Sequence, residues 1–106
     1  AATLKRVFLE LGGKSANVIL DDAPDFAMAV MQSMVIFHAG QGCAVQSRLL
    51  VPRSRYEEAR AILTQAYAGL GDNWGVIDNP QHIMGPVVSK RQMDRVMNYI
   101  EVGKKD

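Results

Sequence analysis

Asn17-Val18-Ile19-Leu20-Asp21-Asp22-Ala23-Pro24 changes character within eight residues. Its first half is a short apolar run, the pattern of a strand, and so few polar positions predict burial on both faces. Its second half is acidic and closes on Pro24. A proline at the first helical position sacrifices no useful N–H, so a helix is predicted to start there. Beyond it Ala27, Val30, Met31, Met34, Val35 and His38 recur at the three-and-four spacing of one helical face. A strand that runs directly into a helix is the building unit of an α/β fold.

The flanking sequence repeats the alternation. Upstream, Val7-Phe8-Leu9 reads as a strand closed by the flexible Gly12-Gly13 pair. Downstream, Gly40 and Gly42 end the first helix in a loop that carries Cys43, and Arg48-Leu49-Leu50-Val51-Pro52 reads as a third strand. Ser54-x-x-Glu57 has the spacing of a capping box, predicting a helix with Tyr56, Ala59, Leu63, Ala66, Tyr67 and Leu70 along one side and an end near Gly69 or Gly71. Residues 71–88 form a long loop. Ser89-x-x-Gln92 is a second capping box, opening a helix whose buried face is expected to hold Met93, Val96, Met97 and Ile100, with Gly103 as its stop. The predicted class is α/β, with short, mainly parallel strands alternating with about three helices.

Composition narrows the function. Apolar residues make up 48% and charged residues 22% of the 106, an ordinary globular mixture with material for one compact domain. Twelve Lys and Arg against eleven Asp and Glu leave a net charge of +1, which gives no electrostatic basis for a nucleic-acid or membrane partner. One cysteine cannot form an internal disulfide, which points to a reducing, cytoplasmic setting. His38 and His82 stand far apart without carboxylates or a thiol at ligand spacing, so no metal site is expected. The chain opens at Ala1-Ala2-Thr3-Leu4 and stops at Lys104-Lys105-Asp106 without linker-like sequence, and is expected to be a piece of a longer protein.

Two positions carry chemical interest. Cys43 lies in Gly40-Gln41-Gly42-Cys43, where the glycines let a substrate approach the main chain; a loop thiol is a candidate nucleophile, and the plainer reading is a structural cysteine. Glu10 ends an apolar stretch ahead of Leu11-Gly12-Gly13-Lys14. That placement predicts a partly desolvated carboxylate, the setting of a general base, against the plainer reading of an ion pair with Lys14. Gly12-Gly13-Lys14-Ser15 also echoes the end of a phosphate-binding loop, but the upstream glycine of that motif falls on Phe8, which excludes it.

Together these segments resemble the NAD(P)-dependent aldehyde dehydrogenase superfamily. Leu9-Glu10-Leu11-Gly12-Gly13-Lys14-Ser15 is similar to the family's glutamate signature, and Asn17-Val18-Ile19-Leu20-Asp21-Asp22-Ala23 continues its usual context. Gly40-Gln41-Gly42-Cys43 with Ser47-Arg48 is similar to its cysteine signature. The 33-residue interval between Glu10 and Cys43 is close to the family's, a one-residue deletion near Pro24 accounting for the difference, and Met84-Gly85-Pro86 also fits. The resemblance covers the whole chain.

The resemblance implies a partial catalytic domain over residues 1–106, with residues 1–13 resembling the end of the cofactor-binding domain. It implies oxidation of a small-molecule aldehyde to a carboxylic acid with NAD or NADP, in a homo-oligomeric parent enzyme. Cys43 is implied as the nucleophile that passes through a thioester, with its backbone N–H as an oxyanion donor, and Glu10 as the base for hydrolysis. Cofactor contacts are implied at Leu11 and Gly12, with Gly13 leaving room, and at Gln92 and Arg95, although Gln92 also completes a capping box. Two departures stand out: His38 replaces an asparagine common before the family's cysteine loop, and Gly42 stands where some relatives have a second cysteine. The dinucleotide-binding fold, the oxyanion asparagine, the ribose-binding glutamate and the oligomerisation hairpin of complete members lie outside this segment. Two rivals remain: a CoA-acylating relative, which Glu10 argues against, and a non-catalytic interaction domain with a structural cysteine.

Overall fold

A computed structural model describes residues 4–76 and 78–106, so the expectations for residues 1–3 and for Ile77 lie outside the described residues. The fold is α/β. In chain order the elements are β1 (Ala16–Val18), α1 (Phe26–Met31), β2 (Arg48–Leu50), α2 (Tyr56–Ala68) and α3 (Lys90–Gly103), with a 3₁₀ turn at Arg53–Arg55 and a turn at Phe37–Gly40 that is left-handed at His38 and Ala39. β1 and β2 pair in parallel, Ala16 opposite Arg48 and Val18 opposite Leu50, and Ile19 N–H extends the ladder to Leu50 O at 3.0 Å.

The core is small. Ile19, Phe26, Val30 and Ala59 are buried, with Leu49, Val51, Ile62 and Leu63 packed around them. β1 buries Asn17 and Ile19 and exposes Val18 and Leu20, so the expectation of burial on both faces is corrected: one helical layer covers one face. Asn17 ties the strand to α1. Its Nδ2 donates to Ala29 O at 2.6 Å and to Ser33 Oγ at 3.0 Å, so this buried amide is satisfied. Arg55 closes the other side. It lies 3.5 Å from the centroid of the Phe26 ring, donates to Asp21 O at 3.2 Å, and grips Glu58 at 2.8 and 2.9 Å. Hydrogen bonding to that guanidinium holds the Glu58 carboxyl below the usual carboxylate range.

Several local expectations change. Val7-Phe8-Leu9 is exposed and forms no strand, because a strand needs a neighbouring ladder and the two-stranded sheet offers none at that position. Asp25, rather than Pro24, starts α1: its Oδ1 accepts the Met28 N–H at 3.1 Å, leaving Pro24 outside the helix. α1 ends at Met31, and the buried set is Phe26, Val30 and Ser33 in place of the stripe running to His38. Ser54 makes no capping box; a 3₁₀ turn leads into α2 and the Ser54 hydroxyl donates to Asp21 Oδ1 at 3.4 Å. The second box is half formed, Ser89 Oγ accepting the Gln92 N–H at 3.3 Å.

Met93, Val96, Met97 and Ile100 are each about half exposed on α3, and no described element makes an extensive contact with that helix. The expected buried face is an uncovered one. The radius of gyration of 17.3 Å exceeds the roughly 13 Å of a compact chain of this length, which corrects the expectation of a compact domain.

Asn17→Ala should destabilise the fold by about 1–3 kcal/mol, because Ala29 O and Ser33 Oγ lose their donor inside the core. A urea midpoint unchanged from the parent would show that the amide carries no such role.

Candidate active site

The parallel pairing creates the site. Residues 10–15 lead into β1 and residues 40–47 lead into β2, and parallel strands bring their leading loops to the same sheet end. Arg48 fastens them together: its N–H donates to Ser15 O at 3.2 Å and its Nε to Lys14 O at 2.8 Å. The result is an open cleft of about 560 Å³ bounded on one wall by Glu10 through Lys14 and on the other by Gly40 through Cys43.

Both residues singled out from the sequence therefore face one cavity. Cys43 is an exposed free thiol. Glu10 is also exposed, which corrects the expectation of a partly desolvated carboxylate: the apolar residues around it are themselves uncovered. Leu11, Gly12 and Gly13 continue the wall that Glu10 begins. A Cβ built on Gly12 or Gly13 meets nothing within 4 Å, so the main chain there presents a bare, open surface to which a flat ring could lie close. At Gly42 a Cβ would come to 3.2 Å from Val45 Cγ2, so the glycine departure matches a tight spot.

Gln92 and Arg95 sit on α3 and do not line this cleft. Gln92 is half-buried and Arg95 exposed. A second cleft, of about 440 Å³, lies behind the cysteine loop beside His38, Gly75, His82 and Pro86. There His82 is pinned, Nδ1 against Val76 O at 2.8 Å and Nε2 against Asn79 Nδ2 at 3.1 Å. Gly75 is required beneath it, since a Cβ would lie 2.6 Å from His82 Cε1. Among the described residues no group of three or more His, Cys, Asp or Glu could hold a metal ion.

Two structural roles escaped the sequence. Sequence marks Arg48 as a strand start and as part of a signature, but its side-chain partner, Lys14 O, lies 34 positions away. Helical spacing assigns His38 to a helix face, yet it adopts φ +50° with Ala39 at +51°, a left-handed pair just ahead of Cys43. Left-handed geometry in residues with a Cβ has no pattern in hydrophobic spacing.

The sequence pattern of the aldehyde dehydrogenase family matches residues 1–106. The chain is 41% identical over 107 residues to the mitochondrial aldehyde dehydrogenase of Leishmania tarentolae, an alignment covering 96% of this chain and 20% of that protein. It is similar to the solved NAD+ complex of aldehyde dehydrogenase from Bacillus cereus, with 42% identity, a TM-score of 0.78, and coverage of 95% of this chain and 20% of that one. It also superposes on gamma-glutamyl-gamma-aminobutyraldehyde dehydrogenase from Burkholderia cenocepacia with a TM-score of 0.83 at 34% identity, covering 92% of this chain and 20% of that one. The chain thus spans about a fifth of the length of these relatives.

Proposed function

The chain belongs to the aldehyde dehydrogenase family, and from that premise we propose that it is the nucleophile-bearing part of an enzyme that oxidises an aldehyde to a carboxylic acid with NAD(P)+. The observation that carries this reading is the single cleft walled by Glu10 on one side and Cys43 on the other. In the proposed division of the parent, residues 1–13 are the end of the cofactor-binding domain and the rest is part of the catalytic domain.

The chemistry follows from the two side chains. The Cys43 thiolate attacks the aldehyde carbon; an S–C bond forms, the carbonyl electron pair moves to oxygen, and the Cys43 backbone N–H donates to that oxygen. Leu11 and Gly12 would hold the nicotinamide end of the dinucleotide, which when bound would accept the hydride lost from the adduct carbon as the thioester forms. The open main chain at Gly12 and Gly13 and the size of the cleft suit a ring at that position. Glu10 then takes a proton from a water whose oxygen attacks the thioester carbon, releasing the acid and restoring the thiolate. Gln92 and Arg95, on α3, are assigned to the adenosine end of the dinucleotide.

Glu10 favours water over coenzyme A as the acyl acceptor, so the CoA-acylating alternative is not favoured. A cytoplasmic setting suits a catalytic cysteine that must remain a thiol. No helix among the described residues is long and apolar enough to cross a membrane. Homo-oligomerisation of the parent is part of the same reading.

In the intact enzyme Cys43→Ser should lower turnover on the order of a thousandfold while leaving dinucleotide affinity within about threefold, because a serine alkoxide is scarce at neutral pH. Substantial aldehyde oxidation by that variant would remove Cys43 from its role. Glu10→Gln should keep the pre-steady-state burst of reduced dinucleotide and slow the following steady state roughly a hundredfold. Equal loss in both phases would show that Glu10 is not the deacylating base. The 106 residues alone should show no dehydrogenase activity with NAD or NADP across an aldehyde panel, followed by absorbance of the reduced cofactor. Robust turnover by the isolated chain would contradict the proposed division.

A further inference from the structure

Gln41 forms part of both the cleft that holds Glu10 and Cys43 and the second cleft behind it. Its side chain is engaged at each end. Nε2 donates to His38 O at 2.8 Å, and Oε1 accepts the Val88 N–H at 2.9 Å across 47 positions of sequence. The Gln41 backbone N–H donates to the same His38 carbonyl at 3.0 Å. Only this orientation of the amide satisfies both partners, since a carbonyl must receive a donor and an N–H an acceptor.

These bonds fall where the backbone is strained. His38, Ala39 and Gly40 are successively left-handed, with φ of +50°, +51° and +74°, and two of the three carry a Cβ. Such geometry persists only where neighbouring contacts over-determine it. Ala39 N–H donates to Ile36 O at 3.1 Å, and Gln41 clasps the carbonyl at the head of the turn twice, through its backbone N–H and its side chain. The turn runs directly into Gly42 and Cys43, so it sets the direction from which the thiol enters the cleft. The far end of the same side chain holds Val88, the residue before the Ser89 cap of α3.

We infer that Gln41 is a positioning residue, one that fixes Cys43 for attack by locking the left-handed turn before it and anchoring that turn to the start of α3. The role rests on the proposed dehydrogenase activity. It requires no contact between Gln41 and the reacting atoms, and it predicts damage confined to the acylation step.

The test uses the intact enzyme and two variants. Gln41→Met keeps length and removes both hydrogen bonds; Gln41→Glu keeps an acceptor for Val88 and sets a carboxylate oxygen against His38 O. The expected result for each is a burst rate lowered on the order of 10- to 100-fold, with dinucleotide affinity within about threefold of the parent. A wild-type burst rate in folded Gln41→Met overturns the inference. So does a parallel loss of burst rate and dinucleotide affinity, which is the mark of general unfolding. If Gln41→Met does not fold, Gln41→Glu is judged by the same two measurements. Cys43→Ser, run alongside, separates the two proposals. An inactive Cys43→Ser beside an unimpaired Gln41→Met defeats the positioning role alone, whereas an active Cys43→Ser defeats the activity reading and the inference with it.

Discussion

Arg48 opens β2 directly opposite Ala16, and everything chemical about this chain depends on that register. Because the strands are parallel, their leading loops emerge at one end of the sheet, one carrying Glu10 and the other Cys43. A slip of one residue would reverse which side chains of β1 face the core, exposing Ile19 and Asn17 and turning Val18 and Leu20 inward. The Arg48 side chain adds a second constraint by holding Lys14 O, so the glutamate loop is tied to the sheet through more than backbone pairing. Two short strands thus position the walls of a cleft larger than either of them.

The hydrophobic core that supports this arrangement is modest. Four buried side chains and the Asn17 amide join β1, α1 and α2, and Arg55 closes the junction by stacking on Phe26 while bonded to Glu58 and Asp21 O. Much apolar surface remains uncovered, on residues 4–11 as well as on α3. Met93, Val96, Met97 and Ile100 form an apolar face at helical spacing that stays exposed among the described residues. The sheet is likewise covered on one face only, for Val18 and Leu20 are exposed.

The sequence pattern was informative where the chain's own local chemistry decides the outcome. The span of α2 and the Ser89 cap of α3 follow from residues close to one another in sequence. It was less informative where two local signals competed. Pro24 and Asp25 both suit a helix start, and the aspartate prevailed because its carboxylate can satisfy an N–H that a proline ring cannot reach. Ser54 matched a capping box, yet its hydroxyl turned toward Asp21, 33 positions back. The stripe from Ala27 to His38 was periodic and still broke at Met31, since periodicity records which side chains are apolar and not which of them find cover.

By itself the sequence determined the α/β class, the family, and the two signature stretches that carry Glu10 and Cys43, because these reside in local motifs and in the order of the motifs along the chain. That Glu10 and Cys43 share one cleft was decided by the parallel register. Only the folded chain revealed that Gln41 and Arg48 hold the cleft's loops in place and that the turn before Cys43 is left-handed. The physical reason is the range of the interactions: a cap or a hydrophobic stripe is set by residues three or four apart, whereas the bonds from Arg48 to Lys14 and from Val88 to Gln41 join positions 34 and 47 residues apart, where no spacing rule applies.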